Sequence, residues 1–590
     1  MTELTHDVDT RIEIEKFSKQ LDATAHKQWA SLTPGLSPIS LALAYHDWLA
    51  HLSSSPGYRL LRQYDAWKAF QRVAEKNLEL TKRPWQSDEL DTDARFKDRT
   101  WTQWPYSVVK NNFKTTEQWW RQCAQIDGMH PHHQHVVNFF TRQIVDAMSP
   151  SNTTHTNPEV LRVGIESLGM SFAKGMQHYL HDQYKNLKQK TSSNDEPQLA
   201  PLPYEVGVDV ATTPGKVIYR NDLIELIHYV PSTNQVHAEP LLIVPSCIMK
   251  FYILDLSPHN SMVKYLVDQG FTVFMISWRN PDEHMRDVGL EDYLTQGVLE
   301  ALAQIKTQSQ ATHVHSMGYC LGGTFLSIAA AWLGKTSTSI YPTLASVTLL
   351  AAQTDFTEPG ELGVFIDEDQ LKSLREEMSK TGYLSGRQMA DSFRFLNARD
   401  LIWSHNVQRY LLGKDENGND MMSWNSDHTR LPERMHNEYL THFFLHNALA
   451  DGQYRLQNTA VALRDIEAPM MVVSTVRDHV SPWRSVYKIH LLTDTDITFV
   501  LASGGHNAGI ISEPGHQHRH YQIGHTSKDY GWTHADEWAE SATSAEGSWW
   551  LAWSEWLTQN SSHQVKARTP STKHVLCDAP GEYVLTRYAD

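Results

Sequence analysis

"HVHSMGYCLGGTFLSIAAAWLG", residues 313–334, reads as three pieces in succession. A strand-like run enters a glycine frame, Gly318-Tyr319-Cys320-Leu321-Gly322 with Gly323 behind it, and a run of small and apolar residues leaves it as a helix. The frame is G-x-S-x-G with cysteine in the serine's place, and strand, turn and helix are the context that frame requires. Its glycines let the chain turn sharply and let helix and strand pack closely beneath the central residue. The helix N-terminus favours a thiolate there. On the pentapeptide alone, a buried cysteine in a glycine-rich turn is the competing reading.

Two downstream segments decide against that competitor. "MMVVSTVRDHVSPW", 470–483, is a strand ending in a loop that presents Asp478, and "ITFVLASGGHNAG", 497–509, is a strand ending in a loop that presents His506. Nucleophile, acid and base then follow in the order Cys320, Asp478, His506, which is the order of α/β-hydrolases. Each candidate lies just past the C-terminal end of a strand, where open α/β sheets place ligands. His506 would take the thiol proton and later return one to a leaving group, and Asp478 would hold the imidazole tautomer. His479 competes as base but follows the acid directly and should point away. The oxyanion hole needs the N–H of Leu321 and one from the loop in "LLIVPSCIMKFY", 241–252, from Cys247 or Ile248.

The rest of the chain fits the same architecture. Residues 1 to about 185 carry apolar groups at helical spacing, and "KQKTSSNDEPQLAPLP", 188–203, is linker chemistry, so a mostly helical N-terminal domain is expected over 1–203. From 204 to 590, short β-rich runs such as "PLLIVPS", "FTVFMISW" and "SVTLLAA" alternate with helical segments, which describes a mainly parallel, doubly wound sheet. The strand rhythm stops over about 356–450, where a largely helical insert is expected as a cap above the catalytic face.

Bulk properties exclude other classes. The 590 residues carry a net charge of −16, which disfavours nucleic-acid binding. Four cysteines, Cys123, Cys247, Cys320 and Cys577, form no CxxC pair, so neither a disulfide framework nor a structural zinc site is expected, and a reducing compartment fits. "MTELTHDVDTRIEIEKF" is acidic where a signal peptide would be basic, so a cytoplasmic location is expected. No apolar run approaches the roughly 20 residues that span a bilayer.

The quoted motifs, with "PLLIVPSCIMKFYILDLSP", "FMISWRNPD", "SGGHNAGI" and "GSWWLAWSEWL", together resemble a class I polyhydroxyalkanoate synthase. "DARFKDRTWTQWPY", "SPSNTTHTNPE" and the C-terminal "APGEYVLTRY" extend the likeness from about residue 90 to the end of the chain. The resemblance implies an acyltransferase that polymerises (R)-3-hydroxyacyl-CoA, chiefly 3-hydroxybutyryl-CoA, releases CoA and grows a polyester at a granule surface. It also implies a homodimer, no cofactor beyond the CoA of the substrate, and Cys320, Asp478 and His506 as the triad. The alternatives are a cysteine-dependent hydrolase or thioesterase of the same fold and a non-catalytic granule-associated homologue. A thiol at the elbow suits transfer, because a thioester passed to cysteine stays activated for attack by a hydroxyl, whereas a serine ester loses that activation.

Several features have plainer readings. "HPHHQH", 130–135, and "HQHRH", 516–520, are expected to be surface loops, not metal sites. His313 and His315 interrupt the strand before the elbow, should share one face, and are expected to be hydrogen-bonded structural groups. Trp549, Trp553 and Trp556 form one face of a helix capped by Ser548, with core packing as the expectation. Lys250 and Arg279 stand near the presumed catalytic loops and could meet CoA phosphates.

Overall fold

The apolar runs that read as strands form one sheet. The computed structural model describes residues 17–18, 37–83, 88–191, 202–336, 338–396, 398–415, 418–529 and 531–587. The chain divides into two units, Met1–Gln198 with Asp391–Asn417, and Leu199–Ala390 with Gly418–Asp590. The linker expected over 188–203 begins later than its composition suggests, since a helix runs over Met170–Thr191, and 192–201 lie outside the described residues.

The first unit is helical, with helices Pro38–Ser54, Pro56–Lys82, Tyr106–Cys123, Pro131–Ala147, Pro158–Glu166 and Met170–Thr191. Its centre is a charge network in which Arg95 contacts Asp93 (2.6 Å), Glu117 (2.7 Å) and Asp146 (2.9 Å). The segment returning from the insert joins this network through Arg399 on Asp146 (2.5 Å) and adds Arg409 on Asp182 (2.7 Å). The expected insert is therefore divided, and Asp391–Asn417 belongs with the N-terminal helices. "HPHHQH" is not a loop. His130 caps a helix whose first residue is Pro131, and the fixed φ of proline suits a first helical turn. Asp47 holds it there, accepting from the His130 N–H (3.0 Å) and pairing with His133 (2.7 Å).

The second unit contains an eleven-stranded sheet. Numbered along the chain, its strands are β1 Gly215–Arg220, β2 Ile224–Tyr229, β3 Leu241–Val244, β4 Val273–Trp278, β5 His313–Tyr319, β6 Thr343–Leu350, β7 Met470–Thr475, β8 Ile497–Ala502, β9 His520–Thr526, β10 Thr543–Glu546 and β11 Cys577–Asp578. Their spatial order is β10-β9-β8-β7-β6-β5-β3-β4-β2-β1-β11. The stretch from β4 through β3, β5, β6 and β7 to β8 is parallel, and the strands beyond it pair antiparallel. β3, β4, β7 and β8 are buried along their whole length, as helix-covered parallel strands must be. This is the α/β-hydrolase architecture, with the insert following β6 and preceding β7.

The two histidines of β5 part company. His313 is exposed at the strand's start beside Thr312 (3.1 Å), and a register shift against β6 follows Val314. His315 is buried, with Nδ1 on the Ser346 hydroxyl (2.7 Å) and Nε2 on that of Ser561 (3.0 Å). Both ring nitrogens are satisfied, so this histidine is structural. The helix Trp549–Gln559 is capped by Ser548, which accepts from the Trp550 N–H, and buries Trp549, Trp550 and Trp553, while Trp556 packs partly buried against the same core.

Burial also gives this unit an acid-sensitive stability. It holds His228, His315, His428 and His436 down to about 4 in each case, although Glu239 pulls His315 back up and Asp427 does the same for His428. An unfolded histidine titrates near 6.5, so between that pH and about 4 the unfolded chain binds close to one more proton per residue, and stability falls as pH falls. Asp255, raised to about 6 by burial, works in the opposite sense, since it takes up its proton in the folded state. Near pH 5 these five groups together take up about three protons on unfolding. The urea midpoint should therefore drop steeply from pH 6.5 to 5, and His436→Leu should flatten that slope by roughly a third. An unchanged slope in the variant would show that His436 is protonated in the folded protein.

Candidate active site

The elbow places Cys320 between β5 and the helix Leu321–Lys335, with φ +53° and ψ −126°. A left-handed φ at a non-glycine residue is a strained conformation, held here by the Cys320 N–H donating to the Leu350 carbonyl (2.8 Å) and the Cys320 carbonyl accepting from the Gly323 N–H (2.9 Å). Close packing beneath explains the glycine frame. A Cβ on Gly322 would lie 2.2 Å from the Val244 carbonyl oxygen, a backbone atom that cannot move aside. Gly322→Ala should consequently displace the elbow from the end of β3, and turnover by the variant should fall at least 100-fold, since misplacement by about 1 Å costs that much. Normal turnover in Gly322→Ala would mean that the elbow and β3 can separate freely.

The candidate acid and base meet where their loops leave the sheet. Asp478 is buried and its Oδ1 accepts from the N–H groups of Val480 (2.9 Å) and Ser481 (2.7 Å), leaving Oδ2 for the Nδ1 of His506 (2.7 Å). With Nδ1 so engaged, Nε2 is the nitrogen left for Cys320, whose sulfur is near enough to act on the charge of the ring. Burial pushes the imidazole down, but the Asp478 carboxylate and the Cys320 sulfur outweigh it and hold His506 well above the ordinary histidine range. The base loop turns at Gly504, where φ is +118° and Gly509 packs 2.7 Å from the position a Cβ would take. Gly505, directly before the base, leaves the loop intact. His479 turns its carbonyl to the Glu361 N–H (2.9 Å), and no contact joins its side chain to Cys320 among the described residues.

The three expected oxyanion donors differ in their engagement. The Leu321 N–H has no protein acceptor among the described residues. The Ile248 N–H donates to the Ser246 hydroxyl (3.2 Å), which leaves Cys247 as the better placed of the pair. Burial pushes the Cys247 thiol well up, so it is a neutral group beside the site and no rival nucleophile.

The insert contributes residues that no motif signalled. Thr429 donates its hydroxyl to the carbonyls of Cys247 (3.0 Å) and Ile248 (2.6 Å), and His428 pairs through its backbone with Met249, so the insert is fastened to the loop after β3. Tyr439 is buried close to both Cys320 and Cys247; burial, then the two sulfurs, raise its phenol well above the usual range. Lys250 is also claimed by structure. Its ammonium is buried, pairs with Asp427 (2.9 Å) and donates to the Val584 carbonyl (2.6 Å). Arg279 pairs with Asp282 (3.0 Å) and lies over the Tyr583 ring. Among the described residues no group of three or more His, Cys, Asp or Glu is arranged to hold a metal ion.

Comparison with known proteins bears on this geometry. The chain is 38% identical over 498 residues to a poly(3-hydroxyalkanoate) polymerase of Methylorubrum extorquens, covering 84% of this chain and 80% of the relative. This chain is an enzyme of the poly(3-hydroxyalkanoate) polymerase family. Polymerase subunits of Rhizobium meliloti and Cupriavidus necator are 37% and 35% identical, over 84% and 83% of this chain and 80% and 83% of theirs. Models of the family's N-terminal regions, described as poly-beta-hydroxybutyrate polymerase N-terminus, match residues 16–57 and 92–266, and one for the alpha/beta hydrolase fold matches 240–512. The family match thus reaches from the helical unit into the unit that holds the elbow. Among the described residues, no helix is long and apolar enough to cross a membrane.

Proposed function

We propose that this chain polymerises (R)-3-hydroxyacyl-CoA, with 3-hydroxybutyryl-CoA as the main substrate, by way of thioesters on Cys320. The observation that carries the reading is a cysteine held at a strained elbow, facing a histidine whose far nitrogen is tied to a buried carboxylate (2.7 Å). His506 takes the thiol proton, and the thiolate sulfur attacks the substrate thioester carbonyl. The oxyanion is met by the N–H groups of Leu321 and Cys247, the bond to the CoA sulfur breaks, and His506 returns the proton to it. A 3-hydroxyl then attacks the Cys320 thioester with loss of its proton to the base. An ester forms and the cysteine is released.

Each transfer keeps the chain activated and needs no cofactor, CoA being part of the substrate and a product. Homodimer formation and attachment to the polyester granule in the cytoplasm belong to this reading through family membership alone. The test is to incubate the purified protein with (R)-3-hydroxybutyryl-CoA, follow CoA release and identify the product. Insoluble polyester supports the polymerase. Free hydroxy acid would point to a cysteine hydrolase, and absence of turnover to a non-catalytic homologue.

A further inference from the structure

The two residues adjoining the nucleophile and the base are bonded to each other. Tyr319 precedes Cys320 and Asn507 follows His506, and the Tyr319 hydroxyl donates to the Asn507 Oδ1 at 2.6 Å. The phenol ring lies against the imidazole as well, with centroids 5.7 Å apart and planes inclined by 34°. We propose that this bond is a strap that sets the distance between the elbow and the base loop, making Tyr319 and Asn507 positioning residues for proton exchange between Cys320 and His506.

The two ends of the strap differ in stiffness, which is what gives it a task. Tyr319 is the last residue of β5, buried and paired with Leu350 of β6, so its ring is part of the rigid sheet. Asn507 is half-buried in the loop after β8. Its carbonyl closes a turn by accepting from the N–H groups of Ile510 (3.1 Å) and Ile511 (3.0 Å), and Trp550 in turn holds the Ile510 carbonyl (2.9 Å). That anchors the far side of the loop. On the near side, the Asp478 bond fixes one nitrogen of His506, and the Tyr319 ring lies against the face of the imidazole. Among the described residues, the Tyr319–Asn507 bond is the side-chain hydrogen bond that joins the base loop to the strand delivering the sulfur, and the Tyr319 ring contact with His506 runs beside it. Burial, then the charges of Cys320 and Asp478, raise the phenol well above its ordinary range, so Tyr319 remains a hydrogen donor throughout the working pH range.

The inference rests on Cys320 and His506 being nucleophile and base. Its test reads the pair without needing turnover. Cys320 alkylation by iodoacetamide is followed by mass spectrometry of its peptide from pH 5 to 9 in the wild type, Tyr319→Phe, Asn507→Leu and the double variant. Kinetics of CoA release from (R)-3-hydroxybutyryl-CoA are measured in parallel. Each single variant should slow alkylation at pH 7 about tenfold, the scale of one lost hydrogen bond, and shift its pH profile. The kcat should fall with KM unchanged, and the double variant should be no slower than the slower single one.

Wild-type alkylation profiles in both single variants, or a double variant slowed by the product of the two single effects, would overturn the strap. Asn507→Leu changes only a half-buried side chain, and carries the test if Tyr319→Phe unfolds. Cys320→Ala separates the two readings: turnover surviving in it defeats the nucleophile assignment, while turnover lost in it but normal in the strap variants defeats the strap alone.

Discussion

Cys320→Ala should reduce CoA release from (R)-3-hydroxybutyryl-CoA to background, a loss on the order of 10⁵- to 10⁶-fold, as in other triads that lose their nucleophile. The size of the effect follows from the geometry. Asp478 and His506 are held to each other at 2.7 Å, so without the sulfur they form an intact acid–base pair with nothing to activate. Cys247, buried and neutral, cannot substitute. Cys320→Ser is the more informative companion. It preserves the elbow but presents a hydroxyl that His506 deprotonates far less readily, and an acyl ester on serine would lack the activation of a thioester toward a 3-hydroxyl. Residual turnover in the serine variant should therefore yield little polymer. Both variants should keep the wild-type free energy of urea unfolding to within about 1 kcal/mol, because removal of one partly exposed sulfur leaves no large cavity. Normal CoA release by Cys320→Ala would end the assignment.

Lys250→Met should destabilise the second unit by about 3–5 kcal/mol, the usual result of leaving one member of a buried ion pair without its partner. Lys250 follows β3, its partner Asp427 belongs to the insert, and its backbone acceptor Val584 lies in the C-terminal tail. Tyr252 adds a hydrogen bond to the other oxygen of Asp427 (3.0 Å), so the carboxylate is enclosed on all sides. Loss of the ammonium leaves the buried carboxylate without the Lys250 charge and unties three segments at once. The measurement is urea unfolding at pH 7. Adding Asp427→Leu to Lys250→Met should recover part of the loss, because removing both charges avoids burying either alone, while Tyr252 still loses its acceptor. A single variant as stable as the wild type would show that the pair is solvated, in conflict with its burial.

What the sequence determined by itself was local chemistry in a fixed order. The glycine frame around Cys320, the strand-then-loop segments presenting Asp478 and His506, and the alternation of apolar runs with helices were legible because each depends on neighbours within a few residues. The family likeness was legible for the same reason. The capped tryptophan helix and the structural role of His315 also followed, since a buried polar ring must find partners, whereas His313 stands exposed at the start of the strand.

Only the tertiary structure decided the rest. "HPHHQH" became a helix start because Asp47, more than 80 residues away, ties down its first turn. The insert was divided because Arg399 and Arg409 found carboxylates on N-terminal helices and Val407 and Leu412 packed against Val160 there, long-range pairings that leave no periodic trace in sequence. Lys250 reads as a free cation until Asp427 and Val584 are seen to enclose it. Thr429 on the loop after β3, Tyr439 near Cys320 and the Tyr319–Asn507 bond come together from segments far apart in the chain. Such contacts have no spacing to read, because folding alone sets the distance between their partners.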